Sequence, residues 1–377
     1  MLRVLLIGSG AREHALAWKL VQSSMVEMVY ITPGNGGTEF LPRCQNVKQI
    51  NPQDYVALAF WAQGKGINLV VPSCEEPLVA GIESAFRTLG IPFFGPTKES
   101  AQLEGSKAFF HSFTKRYQIP TPRAEIFTRY EDAAAYLRTD RGRMVIKAVG
   151  LSASKGVVIA TDNVSAQLVL KDFMVDMCWG DAGGSVILEE FVSGFEFSIM
   201  AMSDGNNFRT ISTVRDYKSL LDGDEGPNTG GMGSHAPVLI SSSLLTRVED
   251  TIIRPLIEGM QREGLKTSIL LFFKFQLIRT GTPFRGVLNI GIICTNDGPL
   301  AIDFDVRFGD PETQAILPLL VTDLALLTLA CVEGHLDTVE VEFADLHCVA
   351  VVMCAQGYPA AGHTGDKIQV IDSRSGE

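Results

Sequence analysis

Residues Ala301 to Gln314 read A-I-D-F-D-V-R-F-G-D-P-E-T-Q, and this stretch guides the interpretation of the whole chain. Three apolar residues in it alternate with three charged ones, which is the period of a half-buried β-strand. Gly309 to Glu312 then predict a turn dense in further charge. A buried strand that leads into such a turn indicates a functional site, with a polar face formed by Asp303, Asp305 and Arg307.

The side chains on this face suit a divalent metal and a phosphate. Positions i and i+2 of a strand bring the carboxylates of Asp303 and Asp305 close together, where they repel each other unless a cation lies between them. Hard oxygen ligands favour Mg²⁺ or Mn²⁺, which usually bind substrate phosphates as well. The planar guanidinium of Arg307 suits a phosphate or a carboxylate. The alternative is an ordinary solvated strand face.

The composition bounds the class of protein and its partners. With 377 residues, the chain is expected to hold two or three domains at ~150 residues each. Its 46% hydrophobic and 20% charged residues, with 36 glycines, indicate a soluble α/β protein with many tight turns. The formal net charge of -11 argues against nucleic acid or an anionic membrane as a partner and leaves small anionic substrates open.

Neither a membrane nor an oxidising compartment is indicated. The most hydrophobic cluster, Ile269 to Phe273, is far shorter than the ~20 residues of a membrane span. The first apolar run, Val4 to Ile7, is too short for a signal peptide and is interpreted as a first strand. Seven cysteines without C-x-x-C spacing indicate reduced core thiols, which predicts a cytoplasmic protein.

Strand and helix patterns alternate from residue 1 to about 104 and predict a parallel, doubly wound sheet with ligands at the carboxyl ends of its strands. The loop Gly8 to His14 opens the first helix, so its amides could hold a phosphate. A dinucleotide site of an oxidoreductase would need glycine at Glu13 and an acidic residue within Thr32 to Asn35. Pro33 to Gly37 and Ser73 to Pro77 favour one sugar-phosphate pocket instead, although each could be a plain turn.

A second module begins near residue 105. Lys147 lies on the apolar strand Met144 to Ala148, where a lysine is costly unless it is paired. The small-residue loop Gly150 to Gly156 joins this strand to the next, Val157 to Ala160, and predicts a flap that can close over a triphosphate. It is no Walker motif, because it joins two strands and lacks that spacing. Lys155 in the loop could simply be solvated.

Two later segments add polar groups to the predicted site. Glu189 to Val192 follow an apolar strand and could bind an adenine edge and ribose hydroxyls, with plain surface exposure as the alternative. Asp216 to Gly233 form a long, polar, glycine-rich loop, and ordered loops of this length are uncommon unless they are functional. The backbone amides of that loop could contact an anion.

Six motifs occur in an order that resembles one family: G-S-G-A-R-E-H, P-G-N-G-G, K-A-x-G-L-x-A-x-K-G, E-E-F-V-x-G-x-E-x-S, G-D-E-G-P-N-T-G-G-M-G and R-F-G-D-P-E-T-Q. The chain resembles the phosphoribosylamine-glycine ligases, which are ATP-grasp enzymes of purine synthesis, over essentially its whole length. The resemblance implies ATP-dependent ligation of glycine to 5-phosphoribosylamine through a glycyl phosphate. It implies an α/β fold with a Rossmann-like domain (1–104), an ATP-grasp domain (105–328, flap about 123–192) and a partial C-terminal domain (329–377).

The same resemblance assigns roles to residues. The metal ligands would be Asp303 and Asp305. The ATP phosphates and adenosine would be bound by Lys107, Lys147, Lys155, Gly156, Glu189, Glu190, Phe191, Val192 and Glu196. The catalytic residues would be Arg307, Asp310, Asp216 and Lys218. The substrates would contact Gly8, Gly10, Arg12, Asn35, Gly36, Glu75, Asn228, Thr229, Gly230, Gly231 and Met232.

Some positions depart from the family pattern. The family usually has glutamate and asparagine at Asp303 and Asp305, so an ATP-binding relative with impaired ligase activity is the alternative. Residues 266–280 resemble an insertion, and the chain stops at Glu377, short of the usual final strands. An apolar face near Val349 to Met353 is therefore expected to be exposed. The chain would act as a monomer or dimer, or within a longer polypeptide.

Overall fold

The computed structural model describes residues 1–139, 142–149, 156–178, 180–269 and 283–360. The first part of the chain forms a parallel sheet of four strands in the order β3-β2-β1-β4. Because Gly8 pairs with Pro33, and Ile7 with Pro72, the loops after β1, β2 and β4 meet at one sheet edge. The elements here are β1 (Leu2–Gly8), α1 (Ala11–Leu20), β2 (Val26–Pro33), β3 (Cys44–Asn46), α2 (Tyr55–Gly64), β4 (Leu69–Pro72), α3 (Glu75–Ala80) and α4 (Glu83–Thr88).

Two helices joined by a short linker lead from this part into a small antiparallel sheet. The hydroxyl of Ser106 accepts a hydrogen bond from the Phe109 amide and caps the second of these helices. The small sheet has the strand order β5-β8-β6-β7. The elements are α5 (Gln102–Gly105), α6 (Lys107–Tyr117), β5 (Ala124–Phe127), α7 (Tyr130–Tyr136), β6 (Met144–Ala148), β7 (Val157–Ala160), α8 (Asn163–Met174) and β8 (Val186–Glu190).

A larger antiparallel sheet of six strands forms the centre of the molecule, in the order β15-β14-β9-β10-β13-β16. A π-helical turn, Glu249–Ile253, joins the two helices before β14. The elements are β9 (Phe195–Asp204), β10 (Phe208–Asp216), β11 (Ser219–Leu221), β12 (Glu225–Asn228), β13 (Gly233–Ala236), α9 (Ser242–Val248), α10 (Arg254–Ile269), β14 (Arg285–Thr295), β15 (Gly298–Asp305), α11 (Glu312–Ile316), α12 (Leu324–Glu333) and β16 (Cys348–Val351).

The hydrophobic cores explain how β15 is held. One core joins the parallel sheet to the six-stranded sheet and includes Leu5, Phe110 and Phe304. The rings of Phe110 and Phe304 lie 4.9 Å apart between centroids. Since Phe304 points into this core, its neighbours Asp303 and Asp305 point to the opposite face of the strand. The small sheet instead packs against α7 and α8 in a core of its own.

The α/β class and the order of a parallel sheet before an α+β part were predicted correctly from the sequence. The apolar face is exposed as expected, with Val349, Val351 and Met353 each more than half accessible. Within Asp216 to Gly233, predicted as one loop, β11 and β12 pair as a hairpin. Most of the proposed insertion 266–280 lies outside the described residues. Among those residues no helix is long and apolar enough to cross a membrane.

Candidate active site

The acidic face of β15 is contacted by a lysine from the start of α6. The Nζ atom of Lys107 forms an ion pair with the Oδ1 atom of Asp303. Burial alone would raise the pKa of the Asp303 carboxyl, but Lys107, and Lys147 and Lys218 further off, hold it below its usual range. The Asp303 side chain is still 42% exposed, so it remains accessible to a ligand. The predicted metal ligand and the predicted phosphate ligand Lys107 therefore lie side by side.

A second lysine–carboxylate pair lies in the small sheet and is buried. Lys147 on β6 contacts Oε1 of Glu189 on β8 at 2.8 Å, and its Nζ also donates to the carbonyl of Ile302 at 3.4 Å. Burial raises the pKa of Glu189, and Lys147 opposes that rise. His111, one turn after Lys107 on α6, places Nε2 3.5 Å from the Glu189 carboxylate. Burial, followed by the charges of the two lysines, lowers the pKa of His111 to about 4, so the ring is neutral.

Arg307 lies among three carboxylates from three segments. Its Nε donates to Glu75 at 3.0 Å, and its Nη2 lies 3.0 Å from Glu104 and 3.7 Å from Asp305. Its Nη1 donates to the carbonyl of Phe308 at 3.3 Å. Burial lowers the pKa of Arg307, but the carboxylates outweigh burial and keep it fully charged. Since Glu75 follows β4, this arginine joins the edge of the parallel sheet to the acidic strand.

Beside Asp305 lies a second buried polar group. Asn289 on β14 donates through Nδ2 to Oε1 of Glu312 at 2.9 Å and contacts Oδ2 of Asp305 at 3.3 Å. Burial and the charges of Asp216 and Asp305 raise the pKa of Glu312 to about 7. Lys218 lies 3.5 Å from Asp216, and the acidic groups raise its pKa. The predicted residues Asp216 and Lys218 thus face the same acidic cluster as the strand.

These side chains were tested for their fit to a divalent metal. Among the described residues, no group of three or more His, Cys, Asp or Glu side chains could hold a metal by itself. Mg²⁺ does not need such a cage, because it is usually held by one or two carboxylates together with substrate phosphates and water. Asp303 and Asp305 supply two hard oxygen donors with Lys107, Lys147 and Lys218 near them. The donor set therefore fits Mg²⁺ or Mn²⁺ bound together with a phosphate ligand.

The predicted sugar-phosphate loops meet at the edge of the parallel sheet. Arg12 donates to Glu13 at 2.8 Å and to the carbonyl of Phe308 at 3.0 Å, so it contacts the turn after β15. Glu13 accepts from the amide of Gly10. The side-chain amide of Asn35 donates to the carbonyl of Gly10 at 2.9 Å, while Gly36 beside it is exposed. The amide of Gly34 reaches the carbonyl of Gly8 at 3.1 Å.

The glycine-rich segment 228–232 lies over the charged turn after β15. Gly231 adopts φ +118, and a Cβ there would lie 2.5 Å from the ring of Pro311, so this approach requires glycine. Thr229 donates from Oγ1 to the carbonyl of Lys218 at 2.8 Å, and the amide of Gly230 donates to the hydroxyl of Tyr358 at 3.0 Å. Beyond this segment, β13 pairs with β16. Asn228 ends β12, and Met232 precedes β13.

The predicted adenosine-binding residues lie at the end of β8, which includes Glu189 and Glu190, and in the residues that lead into β9. The ring of Phe191 stacks against the guanidinium of Arg143 at 3.9 Å, and Glu190 accepts from the amide of Arg123 at 2.9 Å. Val192 is partly buried, and Glu196 at the start of β9 is exposed. Asp310 accepts from Gln314 at 2.6 Å. Lys155 lies outside the described residues, and Gly156 immediately follows that gap.

Four polar side chains in the cluster were not assigned roles from the sequence. Glu312 ends the charged turn after β15, where the sequence does not show that its side chain is buried. Asn289 is a polar residue inside an apolar strand, and His111 follows Lys107 by one helical turn, so both carried a local signal. Glu104 carried none, since it lies 203 positions before its partner Arg307 in the sequence. These residues are Glu104, His111, Asn289 and Glu312.

Comparison with protein families matches residues 2–313 of the chain. The phosphoribosylglycinamide synthetase N domain matches residues 2–104. The ATP-grasp (A) domain of the same synthetase matches residues 105–283 and 275–313. The second match covers β15 and the Lys107, Lys147 and Glu189 positions.

The similar proteins fall into two groups that differ in chain length. The chain is 42% identical to the phosphoribosylamine–glycine ligase of Vibrio parahaemolyticus, over 97% of this chain and 82% of that protein. It is 41% identical to a bifunctional purine biosynthetic protein of Pichia angusta and 43% identical to one of Schizosaccharomyces pombe. It spans 45% and 44% of those two proteins, so it is less than half their length.

Solved structures agree with the fold. The phosphoribosylamine–glycine ligase of Thermotoga maritima is 31% identical with a TM-score of 0.80, over 98% of this chain and 85% of that chain. The biotin carboxylase domain of the Hydrogenobacter thermophilus 2-oxoglutarate carboxylase is 13% identical with a TM-score of 0.69, over 92% of this chain and 73% of that chain. The second likeness shows the fold alone. Taken with the two domain matches, these relatives show that the chain belongs to the phosphoribosylglycinamide synthetase family.

Proposed function

We propose that the chain ligates glycine to 5-phosphoribosylamine at the expense of ATP and gives glycinamide ribonucleotide, ADP and phosphate. The observation that carries the proposal is the convergence of Lys107, Lys147 and Lys218 on the carboxylates of Asp303 and Asp305. A set of cations around two acidic groups suits a metal-bound triphosphate, because each developing charge then has a counter-charge in place. The names of the relatives at 42% and 31% identity support the same reaction.

The nucleotide would lie between the small sheet and the six-stranded sheet. Lys107, Lys147 and Lys155 would contact the phosphates, with Gly156 at the base of the flap. The segment Glu189, Glu190, Phe191, Val192 and Glu196 would hold the adenosine. Asp303 and Asp305 would hold Mg²⁺ or Mn²⁺, which supplies charge neutralisation for phosphoryl transfer when it is bound. The separate core of the small sheet supports a flap that can move without disturbing the rest.

The glycine substrate would lie at the charged turn after β15. In the first step a glycine carboxylate oxygen takes the γ-phosphoryl group of ATP, and ADP leaves. Lys218, whose pKa is raised by Asp216, stays protonated throughout the neutral range and would stabilise the charge on the transferred group. Arg307 and Asp310 would orient the acyl group. The segment Asn228, Thr229, Gly230, Gly231 and Met232 would cover it, since Gly231 already packs on Pro311.

The phosphoribosylamine would lie at the edge of the parallel sheet, bound by Gly8, Gly10, Arg12, Asn35, Gly36 and Glu75. Its amine attacks the carbonyl carbon of the glycyl phosphate, phosphate leaves with the bonding electron pair, and the amine nitrogen gives up one proton to solvent. The bond from Arg12 to the carbonyl of Phe308 supports this arrangement, because it places the sheet edge beside the turn that follows β15. Exclusion of water during this step would protect the acyl phosphate.

The domain division follows the same proposal. We infer an amine-binding domain over 1–104, an ATP-grasp domain over 105–328 with a flap at about 123–192, and a partial third domain over 329–377. All seven cysteines lie in the described part of the chain and are free thiols, which supports a cytoplasmic location. The chain would work as a monomer or a dimer, or as part of a longer polypeptide.

Phosphate release from ATP tests the proposed function. The expected result is release that requires both glycine and phosphoribosylamine, with omission of either substrate reducing the rate to background. Binding of MgADP is measured separately by calorimetry. A folded protein that binds MgADP but shows no phosphate release that requires both substrates would overturn the ligase assignment. That outcome would favour the ATP-binding relative with impaired activity.

A further inference from the structure

The position of Arg307 depends on a carboxylate outside the acidic strand. Glu104 lies on α5 and places Oε1 3.0 Å from Nη2 of Arg307. The same carboxylate accepts through Oε2 from the amide of Val306 at 2.8 Å. Both of its oxygens therefore contact two consecutive residues directly after β15. Glu104 is 7% exposed, which makes the pair a buried one.

The burial of Glu104 indicates that its contacts fix geometry. Desolvation of a carboxylate is costly, and a buried ion pair is retained only when both of its members are well satisfied. Burial raises the pKa of the Glu104 carboxyl, and the charge of Arg307 opposes that rise. Arg307 also reaches Glu75 and Asp305, so the loss of Glu104 would leave the guanidinium free to move toward either of them.

The packing around α5 links Glu104 to two other parts of the site. Lys107, which forms the ion pair with Asp303, follows Glu104 by three residues, so one short junction holds both ends of the acidic face. Gly105 packs directly on α3, because a Cβ there would lie 2.7 Å from Cγ2 of Val79. The first residue of α3 is Glu75, the other partner of Arg307.

We propose that Glu104 is a positioning residue that fixes Arg307 between Glu75 and Asp305, and so holds the amine-binding edge and the acidic strand in one geometry. The proposal rests on the proposed ligase function. Glu104 acts through Arg307 and touches no substrate. The contacts of Lys107 and Lys147 do not pass through Glu104, so the nucleotide side of the site keeps its geometry without it.

The test is the steady-state kinetics of Glu104→Gln in the full chain. Glutamine keeps the size of the side chain but turns an N–H group or a neutral oxygen toward Arg307. We expect kcat/KM for phosphoribosylamine to fall at least ~10-fold, since a displacement of about 1 Å in a positioning group can cost ~100-fold in rate. KM for MgATP should stay within about twofold, because that side is untouched. Glu104→Asp, which keeps the charge, should recover part of the loss.

Two variants make the result specific. Glu83→Gln removes another partly buried carboxylate, which lies outside the site and forms an ion pair with Arg87 at 3.3 Å. This variant should leave all kinetic constants unchanged. If Glu104→Gln fails to fold, Glu104→Asp, which shortens the reach to Arg307 by one carbon, carries the test and should raise KM for phosphoribosylamine more than KM for MgATP. Equal losses for all substrates, or no loss in a folded variant, would overturn the inference. Wild-type activity is measured first, so failure of the ligase function is recognised separately.

Discussion

Two lysine–carboxylate pairs lie in the same site and differ in exposure. The side chains of Lys147 and Glu189 are 9% and 4% exposed, and both come from neighbouring strands of the small sheet. The side chains of Lys107 and Asp303 are 20% and 42% exposed, and they come from different parts of the chain. Both pairs lie on the proposed nucleotide side, but the first is held inside the fold, whereas the carboxylate of the second is open to a ligand. Burial, and not the type of residue, separates the two pairs.

The surroundings of the pairs support this distinction. Lys147 and Glu189 lie within a sheet that has a core of its own, so the loss of either charge would destabilise the whole flap. Asp303 lies at the open face of β15, and only its backbone is held by the sheet. Removal of its carboxylate leaves Lys107 in contact with solvent. The two pairs are therefore expected to respond differently to the same kind of substitution.

The largest expected effect is on stability, at the buried pair. Glu189→Ala leaves the ammonium group of Lys147 buried without its partner, which typically costs roughly 3–5 kcal/mol. Chemical denaturation monitored by circular dichroism measures the change in the free energy of unfolding. The flap should unfold before the remainder of the molecule, since it has a separate core.

Asp303→Ala is the matched control for that substitution. Because the Asp303 side chain is partly exposed, its removal should change the free energy of unfolding by about 1 kcal/mol or less. Comparable losses in the two variants would show that burial does not separate the pairs.

A smaller effect is expected from pH, at His111. The pKa of this ring in the folded protein is about 4, below its ordinary 6.5, so below pH 6.5 the unfolded chain binds a proton that the folded chain does not. Stability from the neutral ring is therefore present above pH 6.5 and is lost as the pH falls toward 4. Between pH 7.5 and 5, the wild type should lose on the order of 1–2 kcal/mol more than His111→Gln.

His335 provides the control for this measurement. It lies on the surface beside Glu333, which raises its pKa, so its titration runs in the opposite sense. His335→Gln should not flatten the fall in stability below pH 6.5. A wild-type slope that matches that of His111→Gln would contradict the buried, neutral assignment of His111.

Local patterns predicted the elements that carry much of the site. The strands Met144–Ala148 and Val157–Ala160 were predicted with the bounds that the structure has, because each is a short apolar run between polar turns. Alternation placed Asp303 and Asp305 on one face of β15, and the buried Phe304 between them confirms that face. An isolated lysine in an apolar strand also predicted correctly that Lys147 would be paired.

Partners far apart in the sequence could not be predicted from such patterns. Glu104 and Arg307 meet only because α5 packs against both α3 and β15, and this packing leaves no periodic signal. The hairpin of β11 and β12 was missed because its strands are three and four residues long and β12 contains glycine and proline. Asn289 was overlooked within an apolar strand, although its amide joins Asp305 to Glu312.

The most direct test measures by calorimetry how tightly Asp303→Ala binds ADP with and without Mg²⁺. It tests the claim that Lys107 and Asp303 form the metal–nucleotide site. Relative to the wild type, we predict that MgADP binds at least ~10-fold more weakly, because one of two metal ligands is lost. In EDTA, ADP should bind as well as it does to the wild type or slightly better, since Lys107 is freed from Asp303. Unchanged affinity for MgADP would contradict the account.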